Sequence, residues 1–141
     1  MRTLFLYGLF MDVSQLTANG LEPEVVGRGR LDGYQLLIGE KATLVQQANH
    51  CAYGMLIALS RPHELTLYSS PGVSGYAPES VRVTNLDRDG EEDAVVYNLA
   101  LDQLNQVPKA EYARALAEVV SGLGFSQSYV DEILEKGIAS S

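Results

Sequence analysis

The period of the hydrophobic pattern changes between Leu101 and Tyr112, and this change is the strongest constraint on the fold. Before it, apolar side chains form short runs or alternate, as in Val81-Arg82-Val83, which is typical of β-strands. After it, they follow a helical period that Gly122 and Gly124 interrupt. The positions that share this helical spacing are Tyr112, Leu116, Val119, Val120 and Leu123, and then Val130, Ile133 and Leu134. We therefore expect an α+β fold with a mixed, barrel-like β-sheet and flanking helices.

Local signals divide the chain further. We expect strands at Thr3–Tyr7, Glu24–Arg30, Leu31–Ile38, Ala42–Gln46, Ala52–Leu59 and Ala94–Leu101. Asp32-Gly33 is expected to form a turn or a bulge. Asp12 and Ser60 are expected to cap two short helices, the first ending at Asn19-Gly20. The charge run 87–93 predicts a solvated hairpin turn; its alternative, a calcium loop, lacks the EF-hand spacing.

Length and charge limit the classes of partner. A chain of 141 residues predicts one domain, residues 1–141, which buries enough surface to fold without a metal or a disulfide. The formal net charge of -8 argues against nucleic acid and anionic membranes, since both attract basic surfaces. Cys51, the single cysteine, cannot form an intramolecular disulfide, which suits a reducing compartment. Because we also see no signal peptide or membrane span, we expect a cytoplasmic protein.

The turn that follows the first expected strand is the main candidate for a binding site. Tyr7 leads directly into Gly8, and the helix capped by Asp12 begins shortly afterwards. A strand, a tight turn and a helix in this order direct backbone N–H groups to one exposed point, which favours an anion.

Three stretches, in the right order, resemble the gamma-glutamylcyclotransferase (AIG2-like) superfamily. Phe5–Met11 is similar to the family's opening strand and Tyr-Gly loop, and Gly54–Ser60 resembles its central strand. Leu65–Val83 matches the segment that begins Leu-Asp-x-x-Glu-Gly and reaches a tyrosine before a Val-x-Val strand. The closing helices add Pro108-x-x-x-Tyr112, Gly122-Leu123 and Tyr129-Val130, so the resemblance spans nearly the whole chain.

The resemblance implies a ring-closing acyl transfer. In this reaction the α-amine of a γ-glutamyl group attacks its own side-chain carbonyl and releases 5-oxoproline and the attached amine. It also implies a small amino-acid-like or γ-glutamyl ligand, and neither a cofactor nor a metal. The substrate-binding residues that it implies are Tyr7, Gly8, Leu9, Phe10, Met11 and Tyr76.

The sequence departs from the family where its catalytic glutamate is expected. Ser69 occupies that position, Ser70 replaces the following glycine, and Thr66 replaces the customary aspartate. An unactivated serine hydroxyl is not a base near neutral pH, and losing general acid–base catalysis costs about 10²–10⁴ in rate. We therefore assign no catalytic residue.

Three hypotheses remain open. The first is a binding protein that keeps the pocket without turnover. The second is an active cyclotransferase with a relocated base, for which the candidates are Glu40, Glu64 and Glu79, each most simply a solvent-facing charge. The third is an interaction protein with a residual pocket, filled by Phe10 or Met11, which are bulkier than the family's usual residues there.

Overall fold

Five strands form a closed barrel in the computed structural model of the chain, which describes residues 2–8, 11–38, 42–68, 75–99 and 110–138, with side chains to residue 135. The elements are β1 (Arg2–Leu6), α1 (Val13–Ala18), β2 (Glu24–Ile38), β3 (Ala42–Leu59), α2 (Arg61–Tyr68), β4 (Ala77–Asn85), β5 (Gly90–Asn98), α3 (Ala110–Gly122) and α4 (Gln127–Ile138). Around the barrel the order is β1-β3-β2-β4-β5. The sheet is mixed because β1 runs parallel to β5 and antiparallel to β3, which confirms the expected fold class.

Strand β1 lies inside the sheet rather than at an edge. Leu4 pairs with Ile57 of β3 on one side and with Val95 of β5 on the other. Leu4, Phe5 and Leu6 are buried. Each such side chain contributes about 1.5–3 kcal/mol relative to an exposed position. The strand predicted to lead to Tyr7 is therefore present, and it lies in the interior of the sheet.

The expected divisions of β2 and β3 are wrong, since both strands are continuous. Asp32 pairs with Cys51 and Tyr34 with Gln46, so Gly33 faces residues 47–50 at a bulge. Gly33 has φ 82° and the exposed Asn49 has φ 67°. A bulge absorbs extra residues without ending a strand, so the bulge alternative was correct and the turn alternative was not.

Glycine allows the barrel to close tightly near the end of β1. A Cβ placed on Gly54 would lie 2.2 Å from the Leu6 carbonyl oxygen. A Cβ placed on Gly29 would lie 2.7 Å from the Val83 side chain. The backbones of β1 and β3 can therefore approach each other just before Tyr7, where the candidate turn begins.

Both predicted helix caps are present. The Asp12 carboxylate accepts a hydrogen bond from the Ser14 N–H at 3.2 Å, and Asn19 ends α1. The Ser60 hydroxyl accepts from the His63 N–H at 3.4 Å at the start of α2. These contacts satisfy N–H groups that have no partner within the first helical turn.

The charge run forms the β4–β5 hairpin. The turn has Asp89 at φ 49°, and β5 begins at Gly90, earlier than the predicted Ala94. Three of the acidic residues lie on the strand, and the Arg82 guanidinium donates to two of them, Glu91 at 3.1 Å and Asp93 at 3.0 Å. The expected hairpin turn is confirmed.

Helices α3 and α4 pack on each other and on the barrel. Their buried residues include Ala113, Leu116, Ala117, Val120 and Ile133. Leu134, predicted on the same apolar face, is 38% exposed instead. Arg28 of β2 donates to the Asp87 carboxylate and to the carbonyls of Leu123 and Gly124 beyond α3, so it joins the barrel to the helices. In the part of the chain that is described, no helix is long and apolar enough to cross a membrane.

Candidate functional site

Tyr7 and Gly8 lie at the end of β1, as the sequence predicts. Tyr7 is 6% exposed, and its hydroxyl donates to the Tyr97 carbonyl of β5 at 2.7 Å. A Cβ on Gly8 would lie 3.1 Å from the Tyr112 hydroxyl, which α3 contributes. The Met11 N–H donates to the Gly8 carbonyl at 3.0 Å and closes the turn. The turn is therefore anchored in the barrel through Tyr7 and covered by a phenol at Gly8.

The other predicted binding residues differ from one another in burial. Met11 is fully buried, and its N–H is already used within the turn, so its side chain belongs to the core. Tyr76 is half-buried, and its hydroxyl donates to the Ala42 carbonyl of β3. Leu9 and Phe10 lie outside the described residues. The binding roles of all these residues stay predictions.

Several phenols surround Tyr7. Burial raises the pKa of Tyr7 well above its ordinary value, and the nearby phenols of Tyr76, Tyr68 and Tyr112 raise it further. Burial likewise raises the pKa of Tyr76 to about 12. Such groups stay neutral near pH 7 and can donate hydrogen bonds there. The sequence analysis named Tyr7 and Tyr76 but missed Tyr68 and Tyr112, because these residues come from separate elements.

Two described tyrosines flank the segment that contains Ser69. Ser69 and Ser70 themselves lie outside the described residues. Tyr68 ends α2 just before Ser69, and Tyr76 directly precedes β4. Both phenols are close enough to Tyr7 to raise its pKa. The two ends of the segment are therefore held near the end of β1.

Glu64 is a buried ion-pair partner, so its interpretation as a solvent-facing charge is wrong. It is 0% exposed, and Arg2 donates to it twice, at 3.0 Å and 2.6 Å. Arg61 donates at 2.9 Å and the Tyr97 hydroxyl at 2.5 Å. Burial alone would raise the pKa of Glu64, but the bonds from Tyr97 and Arg2 and the two guanidinium charges outweigh it and lower the pKa.

Tyr97 connects this carboxylate to the candidate site. Its ring stacks on Tyr68 with the centroids 3.6 Å apart and the planes 10° apart. Glu64 thus orients Tyr97, and Tyr97 supports the last residue of α2. A weak signal in the sequence was available: Glu64 and Leu67 are three residues apart and share the buried face of α2.

Of the two remaining candidate bases, Glu79 is described and Glu40 is not. Glu79 is half-buried and accepts hydrogen bonds from the Tyr34 hydroxyl at 2.8 Å and the Asn98 amide at 3.2 Å, so it is not a free surface charge either. Glu40 lies outside the described residues. Among the residues that are described, no group of three His, Cys, Asp or Glu side chains could hold a metal ion.

A groove between β1, β4 and β5 lies apart from this site. Residues of all three strands line it, among them Arg2, Thr3, Arg82 and Val95. Its two arginines already have carboxylate partners, Arg2 with Glu64 and Arg82 with acidic residues of β5. Because both arginines are already paired, neither one offers a free positive charge to an anion in the groove.

Comparison with known proteins identifies the fold. No family model matches the sequence, and no curated protein matches it. A solved structure of a gamma-glutamyl cyclotransferase is similar, with a TM-score of 0.80 and 18% identity over 94% of this chain and 85% of that one. An uncharacterized protein from Homo sapiens gives a TM-score of 0.79 with the same identity and coverage. An AIG2-like protein from Mus musculus gives 0.57 with 16% identity over 79% of this chain and 90% of that one.

These similarities define the class of structure. The chain has an α+β fold of the gamma-glutamylcyclotransferase type, with a closed mixed barrel. The resemblance read from the sequence to the gamma-glutamylcyclotransferase (AIG2-like) superfamily is confirmed at the level of the fold.

Proposed function

We propose that this protein binds a small amino-acid-like anion at the Tyr7–Gly8 turn and lacks the ordinary catalytic base of the gamma-glutamylcyclotransferases. One observation carries the proposal: Tyr68, which directly precedes Ser69, stacks on Tyr97, and the Tyr97 carbonyl accepts a hydrogen bond from the Tyr7 hydroxyl. The position where the family has its glutamate therefore follows directly on a residue of the candidate site. Serine at this position lacks the carboxylate that would serve as the base, while the phenols around Tyr7 are retained.

The site is suited to oxygen-bearing ligands. Backbone N–H groups of the turn and neutral phenolic hydroxyls are hydrogen-bond donors, and a carboxylate accepts strongly from both. Tyr7 is already bonded to the Tyr97 carbonyl, so its role is to hold the end of β1 rather than to move a proton. A γ-glutamyl compound carries an α-carboxylate and a side-chain carbonyl that fit such donors.

Of the candidate bases, the two that are described, Glu64 and Glu79, are poorly suited to replace the missing one. Catalysis requires a group that takes a proton from the substrate's ammonium near neutral pH. Glu64 has a lowered pKa and is held by Arg2, Arg61 and Tyr97, so its lone pairs are occupied. Glu79 is bonded to Tyr34 and Asn98. These contacts favour binding without turnover over a relocated base at either residue.

Calorimetric titration with L-glutamine, the simplest γ-glutamyl amide, and with γ-L-glutamyl-L-alanine tests the binding site. We expect the wild type to bind both, and Gly8→Ala to raise the Kd at least about tenfold, or about 1.4 kcal/mol. The added Cβ would lie 3.1 Å from the Tyr112 hydroxyl and must displace the turn or the phenol. Gly122→Ala is the matched control, because a Cβ there meets nothing within 4 Å. Equal affinities in Gly8→Ala and the wild type, or a wild type that binds neither ligand, would contradict the proposal.

A further inference from the structure

Tyr68 differs from Tyr7, Tyr76 and Tyr97 in its hydrogen bonding. The hydroxyls of Tyr7, Tyr76 and Tyr97 donate to the Tyr97 carbonyl, the Ala42 carbonyl and the Glu64 carboxylate. The Tyr68 hydroxyl makes no hydrogen bond within the described part of the chain, although its ring is stacked on Tyr97. Tyr68 is half-buried, so its surroundings restrict water without closing the residue off.

The Tyr68 ring is held in place by a chain of contacts. It stacks on Tyr97 at 3.6 Å with the planes 10° apart. Tyr97 is fixed in turn by its bond to Glu64, which the guanidinium groups of Arg2 and Arg61 hold. A donor on a ring that is already oriented loses little conformational entropy when it meets a ligand. The entropy cost of orienting the Tyr68 ring is therefore met in folding, before a ligand binds.

Tyr68 is also a lasting hydrogen-bond donor. Burial raises the pKa of its hydroxyl, and Tyr97, Glu64 and Tyr76 raise it further. The phenol therefore stays neutral and keeps its proton across the working range of pH. A neutral O–H group pairs best with an anionic or carbonyl oxygen.

We propose that the Tyr68 hydroxyl donates a hydrogen bond to an oxygen of the bound ligand, either its α-carboxylate or its γ-carbonyl, and thereby helps to select ligands at the Tyr7–Gly8 turn. This inference rests on the proposed binding function. It assigns Tyr68, which ends α2 immediately before Ser69, as a binding residue alongside those that the family resemblance implies.

The test compares Tyr68→Phe with Tyr129→Phe. Both substitutions keep the ring and remove a hydroxyl without a partner among the described residues: the Tyr129 hydroxyl is buried and lies near the Tyr53 backbone without hydrogen-bond geometry. Tyr129 packs against Tyr53, whose ring centroid lies 4.8 Å away, on a different wall of the barrel. The Kd for L-glutamine and for L-norvaline, which keeps the α-carboxylate but has no γ-carbonyl, is measured together with Tm.

We expect Tyr68→Phe to raise the Kd for L-glutamine about tenfold with an unchanged Tm, consistent with the loss of one hydrogen bond to a polar ligand group. Tyr129→Phe should leave the Kd unchanged. If Tyr68→Phe weakens the binding of L-norvaline equally, the contact is to the α-carboxylate. If it weakens the binding of L-glutamine alone, the contact is to the γ-carbonyl.

Three results would overturn the inference. If the wild type binds L-glutamine and Tyr68→Phe binds it as tightly, Tyr68 is not a binding residue, while the proposed function stands. If Tyr68→Phe binds L-glutamine more weakly but also has a lower Tm than the wild type, the hydroxyl acts in folding instead. If the wild type binds neither ligand, the proposed function fails, and the role of Tyr68 fails with it.

Discussion

Two tyrosine-rich regions of this molecule are built on different physical principles. Beside the candidate site, Tyr68 and Tyr97 are stacked with their planes 10° apart, and the carboxylate of Glu64 fixes the Tyr97 hydroxyl. On the helical side, the ring of Tyr129 meets Tyr53 edge-on at 67°, and its buried hydroxyl has no partner among the described residues. Hydrogen bonds and ion pairs therefore determine the arrangement of the rings in the first region, and apolar packing determines it in the second.

The two kinds of interaction contribute differently to the orientation of side chains and to the stability of the fold. Packing of apolar rings and aliphatic side chains contributes free energy in proportion to the buried area but tolerates small shifts. Hydrogen bonds and ion pairs contribute less free energy net, but they fix orientation. We infer that the helical side mainly stabilises the barrel and that the Glu64 network mainly positions the site. Four substitutions probe this division.

The largest effect on stability is expected on the helical side. Leu116 of α3 is 0% exposed, and Leu116→Ala should lower the free energy of unfolding by about 3–5 kcal/mol. Because no ionisable group is removed, urea titrations at pH 7 and pH 4 should give the same difference from the wild type. Leu65→Ala, at a residue of α2 that is 54% exposed, is the control and should change stability by less than about 0.5 kcal/mol.

A smaller effect that depends on pH is expected at Glu64. Glu64→Gln should cost about 2–3 kcal/mol at pH 7, because the bonds from Arg2, Arg61 and Tyr97 lose their charge assistance. The folded pKa of Glu64 is lowered from 4.5, so its contribution is complete above that pH and is lost as the pH falls through the folded value. The gap between the variant and the wild type should therefore narrow below pH 4.5.

Urea unfolding of Glu64→Gln over a series of pH values measures this dependence. Glu111→Gln, at an exposed position of α3, serves as its control. A gap at Glu64 that does not vary with pH would mean that the charge of the carboxylate is unimportant.

Removing single hydroxyls should give opposite results in the two regions. Tyr97→Phe breaks the bond to a buried carboxylate and should cost about 1.5 kcal/mol. Tyr129→Phe removes a buried hydroxyl without a partner among the described residues and should change stability by less than about 0.5 kcal/mol, or raise it. Thermal unfolding of the two variants side by side measures the contrast. Equal costs would remove the distinction between the regions.

Local patterns in the sequence predicted the elements better than the contacts between them. The periodic apolar residues located α3 and α4, and Asp12 and Ser60 were correctly identified as caps. The continuity of β2 was not predicted, because Asp32-Gly33 has the same composition in a bulge as in a turn.

The candidate site was predictable where one segment supplies it and not where several do. Tyr7 and Gly8 lie at the end of β1 as expected, because an apolar strand followed by glycine is a local signal. The burial of Glu64 was missed because its partners Arg2 and Tyr97 are 62 and 33 residues away in the chain. Pairing at such distances depends on the closed barrel, which a local pattern does not specify.

Release of 5-oxoproline tests the central claim most directly. The wild type and a Ser69→Glu/Ser70→Gly variant are incubated with γ-L-glutamyl-L-alanine, and Ser69→Gln/Ser70→Gly is the control that lacks the carboxylate. We expect release by the wild type and by the control to be at least about 10²-fold slower than by an enzyme carrying the glutamate, and release by the Glu variant to rise above both. Turnover by the wild type at ordinary enzyme rates would show that the protein has a base, and it would contradict the account.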